Sequence, residues 1–278
     1  MSALAIMTNA GALRSQSNLA RTSRNMNQTI GRLSSGLRVQ SAADDAAGLA
    51  VSENMRGQLK GFEQALRNSN DGISILQTAE SAYQSISDTL IRMRELAVEA
   101  ANDSLGDTER GFLDTEFQDL ITEITRISDV TEFNGIQLLN GTAGSAGTMT
   151  FLVVTRNTVN DRITVTLTDQ DSAALGIDAS AVDTIGGAQT SIDDIDTALE
   201  SLNTDRADLG ATINALRVSV DNLGTTIENY GASVGIIRDA DVGAESANFA
   251  KHQVLQQAGV AMLAQANTLP TLAMRLLG

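Results

Sequence analysis

Cysteine and tryptophan are absent from this 278-residue chain, and proline and histidine occur once each. Each gap closes a class of function. Without cysteine there are no disulfides, no thiolate nucleophiles and no zinc-thiolate sites. The lone His252 cannot be half of a zinc motif, the His-Glu-x-x-His pattern is missing, and no Ser-His-acid set can be assembled. No enzyme activity, cofactor or metal is expected. The single Pro270 leaves long helices uninterrupted almost to the end of the chain. With six Phe and two Tyr, the core has to come from Leu, Ile, Val, Ala and Met, a palette suited to helix seams. No run of about 18 apolar residues could span a membrane, and the N-terminus has none of the continuous apolar stretch of a signal peptide.

Acidic residues are missing from both ends. Residues 1–43 hold five Arg and no acid, and residues 246–278 hold Lys251 and Arg275 and no acid. The ends therefore sum to +7 and the middle to −22, giving the total of −15. An acidic middle keeps like surfaces apart, whereas nearly neutral, Ala- and Leu-rich ends pack closely without that repulsion. The acidic middle, and the lack of aromatic stacking partners, also argue against nucleic acid as the partner of the Arg-bearing N-terminus.

What is present is helical periodicity. From Ile192 to Ile237 every position at 3–4 spacing is apolar except Arg206. A helix of that length runs about 70 Å, so a rod is expected instead of a globule. Leu76, Ala79, Tyr83, Ile86, Leu90, Met93 and Ala97 form a second seam, and Leu113, Phe117, Leu120, Ile124 and Ile127 a third. Each terminus carries half of a pair: Ala12, Leu19, Met26 and Leu33 with Ile30 and Leu37 beside them, and Leu255, Met262, Leu269 and Leu276 flanked by Ala258, Gln265 and Leu272. Ordering a residue costs about 1–2 kcal/mol of backbone entropy and a buried Leu or Met returns about 1.5–3, but only a minority of positions lie on the seam. The terminal helices are therefore expected to be disordered or marginal alone and to order when other subunits cover them.

The connections are legible. The N-terminal helix should end near residue 34, a second segment should start near 44, and a third, long helix should take 73–100. A turn at 102–107 should lead to an antiparallel helix over 108–129. Phe133-Asn134-Gly135 and Asn140-Gly141 are turn signals. Between Gly141 and Gly187 the period becomes two, with Met149, Phe151 and Val153 on one face and Ile163, Val165 and Leu167 on another strand, which predicts a β-hairpin with a polar loop at 156–162. Ser191 is expected to cap the longest helix, ahead of Asp193, Asp194 and Asp196. Asp239-Ala240-Asp241-Val242-Gly243 has the start of a calcium loop, but Ala250 stands where a bidentate Glu is required, so it reads as the connection into the C-terminal helix.

Arg32-Leu33-Ser34-Ser35-Gly36-Leu37-Arg38, Asp44-Asp45-Ala46-Ala47-Gly48, Asn70-Asp71-Gly72-Ile73-Ser74, Arg94-Glu95-Leu96-Ala97-Val98 and Phe133-Asn134-Gly135 occur in this order in bacterial flagellins. So do Gln256-Gln257-Ala258-Gly259 and Leu263-Ala264-Gln265-Ala266-Asn267. The chain resembles a flagellin over about residues 1–141 and 190–278, in a short form whose middle is too brief for the outer variable domains.

The resemblance implies a mainly α fold: a long antiparallel coiled-coil bundle with paired N- and C-terminal helices and a small β-hairpin unit. The expected division is 1–43 and 239–278 as the halves of an inner core domain, 44–140 as outer-domain helices, 141–190 as the hairpin unit and 191–238 as the return helix. It implies a structural subunit that polymerises into the extracellular filament of the bacterial flagellum, exported without a cleaved signal peptide. A hook-filament junction or adaptor protein is the alternative. The implied partners are copies of the chain itself, an export chaperone, cap and hook-junction proteins, with neither nucleic acid nor membrane insertion. Leu19, Met26, Ile30 and Leu33, facing Leu255, Met262, Leu269, Leu272 and Leu276, are the expected filament-core interface. Positions matching a contact for an innate-immune Toll-like receptor are Arg92, Leu96 and Glu116, with Arg92 expected exposed and Leu96 half exposed.

Overall fold

The structure, a computed structural model, describes residues 9–156 and 158–277, with side chains described as far as residue 268. The elements are α1 (Ala10–Ser35), α2 (Ala46–Ala100), α3 (Asp107–Val130), β1 (Glu132–Phe133), β2 (Ile136–Gln137), β3 (Thr148–Leu152), β4 (Arg162–Thr166), α4 (Ile185–Arg238) and α5 (Val242–Leu277), with a 3₁₀ turn at Val159–Asp161. The chain divides into two compact units. One holds the residues up to Gly57 together with those from Asn229 on, and the other runs from Gln58 to Glu228.

The second unit owns the hydrophobic core. Leu76, Tyr83, Ile86, Leu90 and Met93 of α2 are closed over by Phe117 and Ile124 of α3 and by Ile195, Leu202, Leu209 and Leu216 of α4. Three amphipathic stripes thus share one interior, as the seams require. Arg206, the polar member of the longest seam, sends its guanidinium to Glu80 at 2.8 Å and Gln84 at 2.8 Å on α2, so the exception becomes an interhelix ion pair. β1 and β2 close a two-residue turn in which Asn134 (φ 52°) and Gly135 (φ 78°) both have positive φ, the type I′ geometry that matches strand twist. β3 and β4 pair antiparallel from Thr148↔Thr166 to Leu152↔Arg162, and bury Phe151, Val153, Val165 and Leu167.

Two expectations are corrected. The second segment and the third helix are one helix, α2, of 55 residues. Gly72, just ahead of the expected start of that helix at 73, is buried in it and faces the Phe151 ring, where an added Cβ would fall 2.9 Å from Cδ1. Its glycine is there to admit an aromatic ring. Ser191 does not cap α4, which starts at Ile185. The Thr184 hydroxyl accepts the Gly187 N–H at 3.1 Å instead, and Ser191, fully inside, donates to the Ala181 carbonyl at 3.0 Å.

Candidate functional site

In the first unit α1 packs along α5. Asn9 starts the pair: its Oδ1 accepts the Ala12 N–H at 3.0 Å as the cap of α1, and its Nδ2 donates to the Ala266 carbonyl of α5 at 2.8 Å. Further along, Leu19 sits over Gly259, where a Cβ would lie 3.2 Å from Leu19 Cδ1, so glycine lets the helices approach closely. Leu19, Leu255 and Met262 line one open groove, and Met26 lines another with Phe249 and Val260.

Past the end of α1 the flagellin-like motifs become a polar knot. Gly36 takes the left-handed φ of 71° that ends the helix, and its carbonyl accepts the Ala240 N–H at 2.9 Å. Arg32 pairs with Glu245 at 3.1 Å, the Arg38 N–H donates to the Arg238 carbonyl at 2.7 Å, and Arg238 pairs with Glu53. Asp44 accepts the Ser41 N–H and Oγ, each at 3.1 Å, and those bonds hold its carboxyl below the usual carboxylate range. The Arg238 guanidinium does the same for Glu53. Asp241 is occupied as the cap of α5, accepting from Gly243 and Ala244 at 2.8 and 3.1 Å, which is the connection expected there.

Of the expected interface residues, Leu19, Leu255 and Met262 share a groove and Met26 lines another, and none of those described is fully covered. Leu19, Met26 and Leu33 are half-buried, while Ile30, Leu255 and Met262 are exposed, Met262 to 63%. The side chains of Leu269, Leu272 and Leu276 lie outside the described residues. Among the described residues of this unit, Val39 is the only buried hydrophobic one. α1 and α5 are both helical over their described residues, with almost no apolar core between or beneath them among the described residues of this unit. Sequence reasoning passed over Leu13, Val254 and Val260, all more than half exposed. They stand off the heptad positions, and only an interface wider than a single seam would have singled them out.

On the second unit Arg92 joins Glu116 at 2.7 Å and Glu95 at 3.1 Å, both pairs exposed, and the bond to Glu116 holds the arginine firmly charged. Leu96 is not half exposed. It is 1% exposed and part of the core, because three helices enclose a wider stripe than the Met93 and Ala97 seam alone.

No helix among the described residues is long and apolar enough to cross a membrane. The model of the bacterial flagellin N-terminal helical region matches residues 6–144, and that of the bacterial flagellin C-terminal helical region matches residues 192–277. A flagellin of Halalkalibacterium halodurans is 40% identical over 258 residues, covering 91% of this chain and 93% of its own. Flagellin FlaB1 of Treponema pallidum is 37% identical, covering 94% and 95%. Among solved structures, Bacillus cereus flagellin is 32% identical with a TM-score of 0.50, over 56% of this chain and 88% of its own. With both helical regions matched on either side of the hairpin-bearing stretch, this chain belongs to the bacterial flagellin family.

Proposed function

We propose that this chain is the structural subunit of an extracellular flagellar filament and that the α1–α5 pair is the surface by which copies join. The observation that carries the reading is the contrast between the two units: a full core among α2, α3 and α4, against a single buried apolar side chain among the described residues of the unit of α1 and α5. Ile30 on α1 and Val254, Leu255, Val260 and Met262 on α5 are exposed apolar side chains that further copies can cover. A face that meets a different face of the next copy generates an open helix of subunits. In this reading residues 1–43 and 239–278 are the two halves of the inner core domain, and Leu269, Leu272 and Leu276 continue its interface.

The test is negative-stain microscopy and sedimentation of the full chain beside a chain lacking residues 1–43 and 246–278, with ammonium sulfate added to favour apolar burial. Filaments from the full chain alone are expected. Soluble monomers from both would remove the homopolymer and leave the hook-filament adaptor reading.

The same exposed α5 residues suit an export chaperone, which would shield them before assembly, and cap and hook-junction proteins are proposed to meet the ends of the polymer. Export without a cleaved signal peptide is also proposed; mass spectrometry of the secreted subunit would show an N-terminus without a leader removed. For the Toll-like receptor, Arg92 and Glu116 are proposed as an exposed charged contact, with Leu96 acting only from beneath. A reporter-cell response unchanged by Arg92→Ala with Glu116→Ala would rule that contact out.

A further inference from the structure

Two asparagines in this chain precede glycine, Asn134 and Asn140, and their surroundings are opposite. We propose that Asn134 is a site of spontaneous deamidation in the folded protein and that Asn140 is protected from it. The chemistry needs no enzyme. The Gly135 backbone nitrogen loses its proton to solvent and bonds to Asn134 Cγ, the Cγ–Nδ2 bond breaks, and Nδ2 departs as ammonia. Water then opens the cyclic imide at one carbonyl to give aspartate or at the other to give isoaspartate.

Asn134 stands at the exposed apex of the β1–β2 turn, and among the described residues its side chain has no hydrogen-bond partner. A Cβ built on Gly135 would meet nothing within 4 Å, so the turn is open on that side of the glycine. Asn140 is half-buried and engaged at both ends. Its Oδ1 accepts the Thr142 N–H at 3.1 Å and the Thr142 hydroxyl at 2.6 Å, and its Nδ2 donates to Gln137 Oε1 at 2.5 Å. Gly141 is backed by Asp169, whose Cβ would lie 3.4 Å from an added Cβ. Asn140 has to break these bonds before its amide carbon can rotate toward the next nitrogen, whereas Asn134 has none to break. Conversion at Asn134 adds a negative charge two residues from Glu132 and, as isoaspartate, a methylene in the backbone of a turn that leads directly into the fully buried Leu138 and Leu139.

The experiment is peptide mapping with isoaspartate detection on the full-length chain, held in mildly alkaline buffer either folded or in urea. In the folded chain Asn134 should convert about tenfold or more faster than Asn140, and in urea the two rates should converge. Thr142→Ala, checked for folding by circular dichroism, should raise the Asn140 rate several-fold and leave Asn134 unchanged. Equal rates in the folded chain, an Asn140 that converts first, or a folded Asn134 slowed relative to urea as much as Asn140 is, would each overturn the proposal.

Discussion

Gly72 shows how much of this fold rests on single side chains. In an exposed helix Gly→Ala gains about 1 kcal/mol, but here the new Cβ would stand 2.9–3.1 Å from three atoms of the Phe151 ring. Overpacking of that kind costs about 1–3 kcal/mol, so Gly72→Ala is expected to be destabilising by about 1 kcal/mol in urea unfolding, and Phe151→Leu in the same chain should recover part of it. Carboxylates set the pH response. Asp196 is held below its ordinary range by hydrogen bonds from Arg94, Glu123 by Arg126, and Asp161 by the Thr158 hydroxyl and N–H. Groups with depressed native values contribute stability above their unfolded values, about pH 4, and lose it as pH falls through the native ones. The urea midpoint should therefore fall on acidification below about pH 4 and stay level from there toward neutrality. Leu96 could not be read from its spacing, because period alone identifies a seam and not how many neighbours enclose it. Arg206 was legible as an exception, but its partner Glu80 lies 126 residues away.

At the scale of elements, what was legible depended on local chemistry. The end of α1, the α2–α3 turn, α3, the Asn134-Gly135 turn and the β3–β4 strands all carry their own signals: a left-handed glycine, turn residues, an apolar period of 3.6 or 2. The errors came at glycines inside helices. Gly72 lies in α2 under an aromatic ring, and Gly187, where an added Cβ would fall 2.8 Å from the Ala181 carbonyl oxygen, lies in the first turn of α4, whose cap is Thr184. Some helical glycines have no such neighbour in the monomer. A Cβ on Gly210 of α4 meets nothing within 4 Å, so Gly210→Ala should raise the unfolding free energy by about 0.5–1 kcal/mol. A loss of stability there would mean that α4 needs glycine for a bend. At the terminal pair, the seam residues were readable as a set. Their openness was not, because half a seam looks the same whether its other half is in the same chain or in another.

For the whole molecule, the acid-free ends, residues 1–43 and 246–278, both lie within the unit that runs up to Gly57 and resumes at Asn229. The ends carry +7 and the middle −22, and the unit containing the ends has almost no core of its own. Screening by salt should therefore favour association, by weakening repulsion between acidic middles while leaving apolar burial at the ends untouched. The concentration needed for polymer should drop as ionic strength rises, which turbidity at graded salt would follow. The account's central claim is that α1 and α5 become stable only when copies of the chain cover them. Hydrogen exchange by mass spectrometry, on monomer and on polymer, tests it most directly. The account predicts rapid exchange throughout α1 and α5 in the monomer and strong protection in the polymer, with the α2, α3 and α4 core around Leu90, Phe117 and Leu202 protected in both. Terminal helices as protected in the monomer as that core would contradict it.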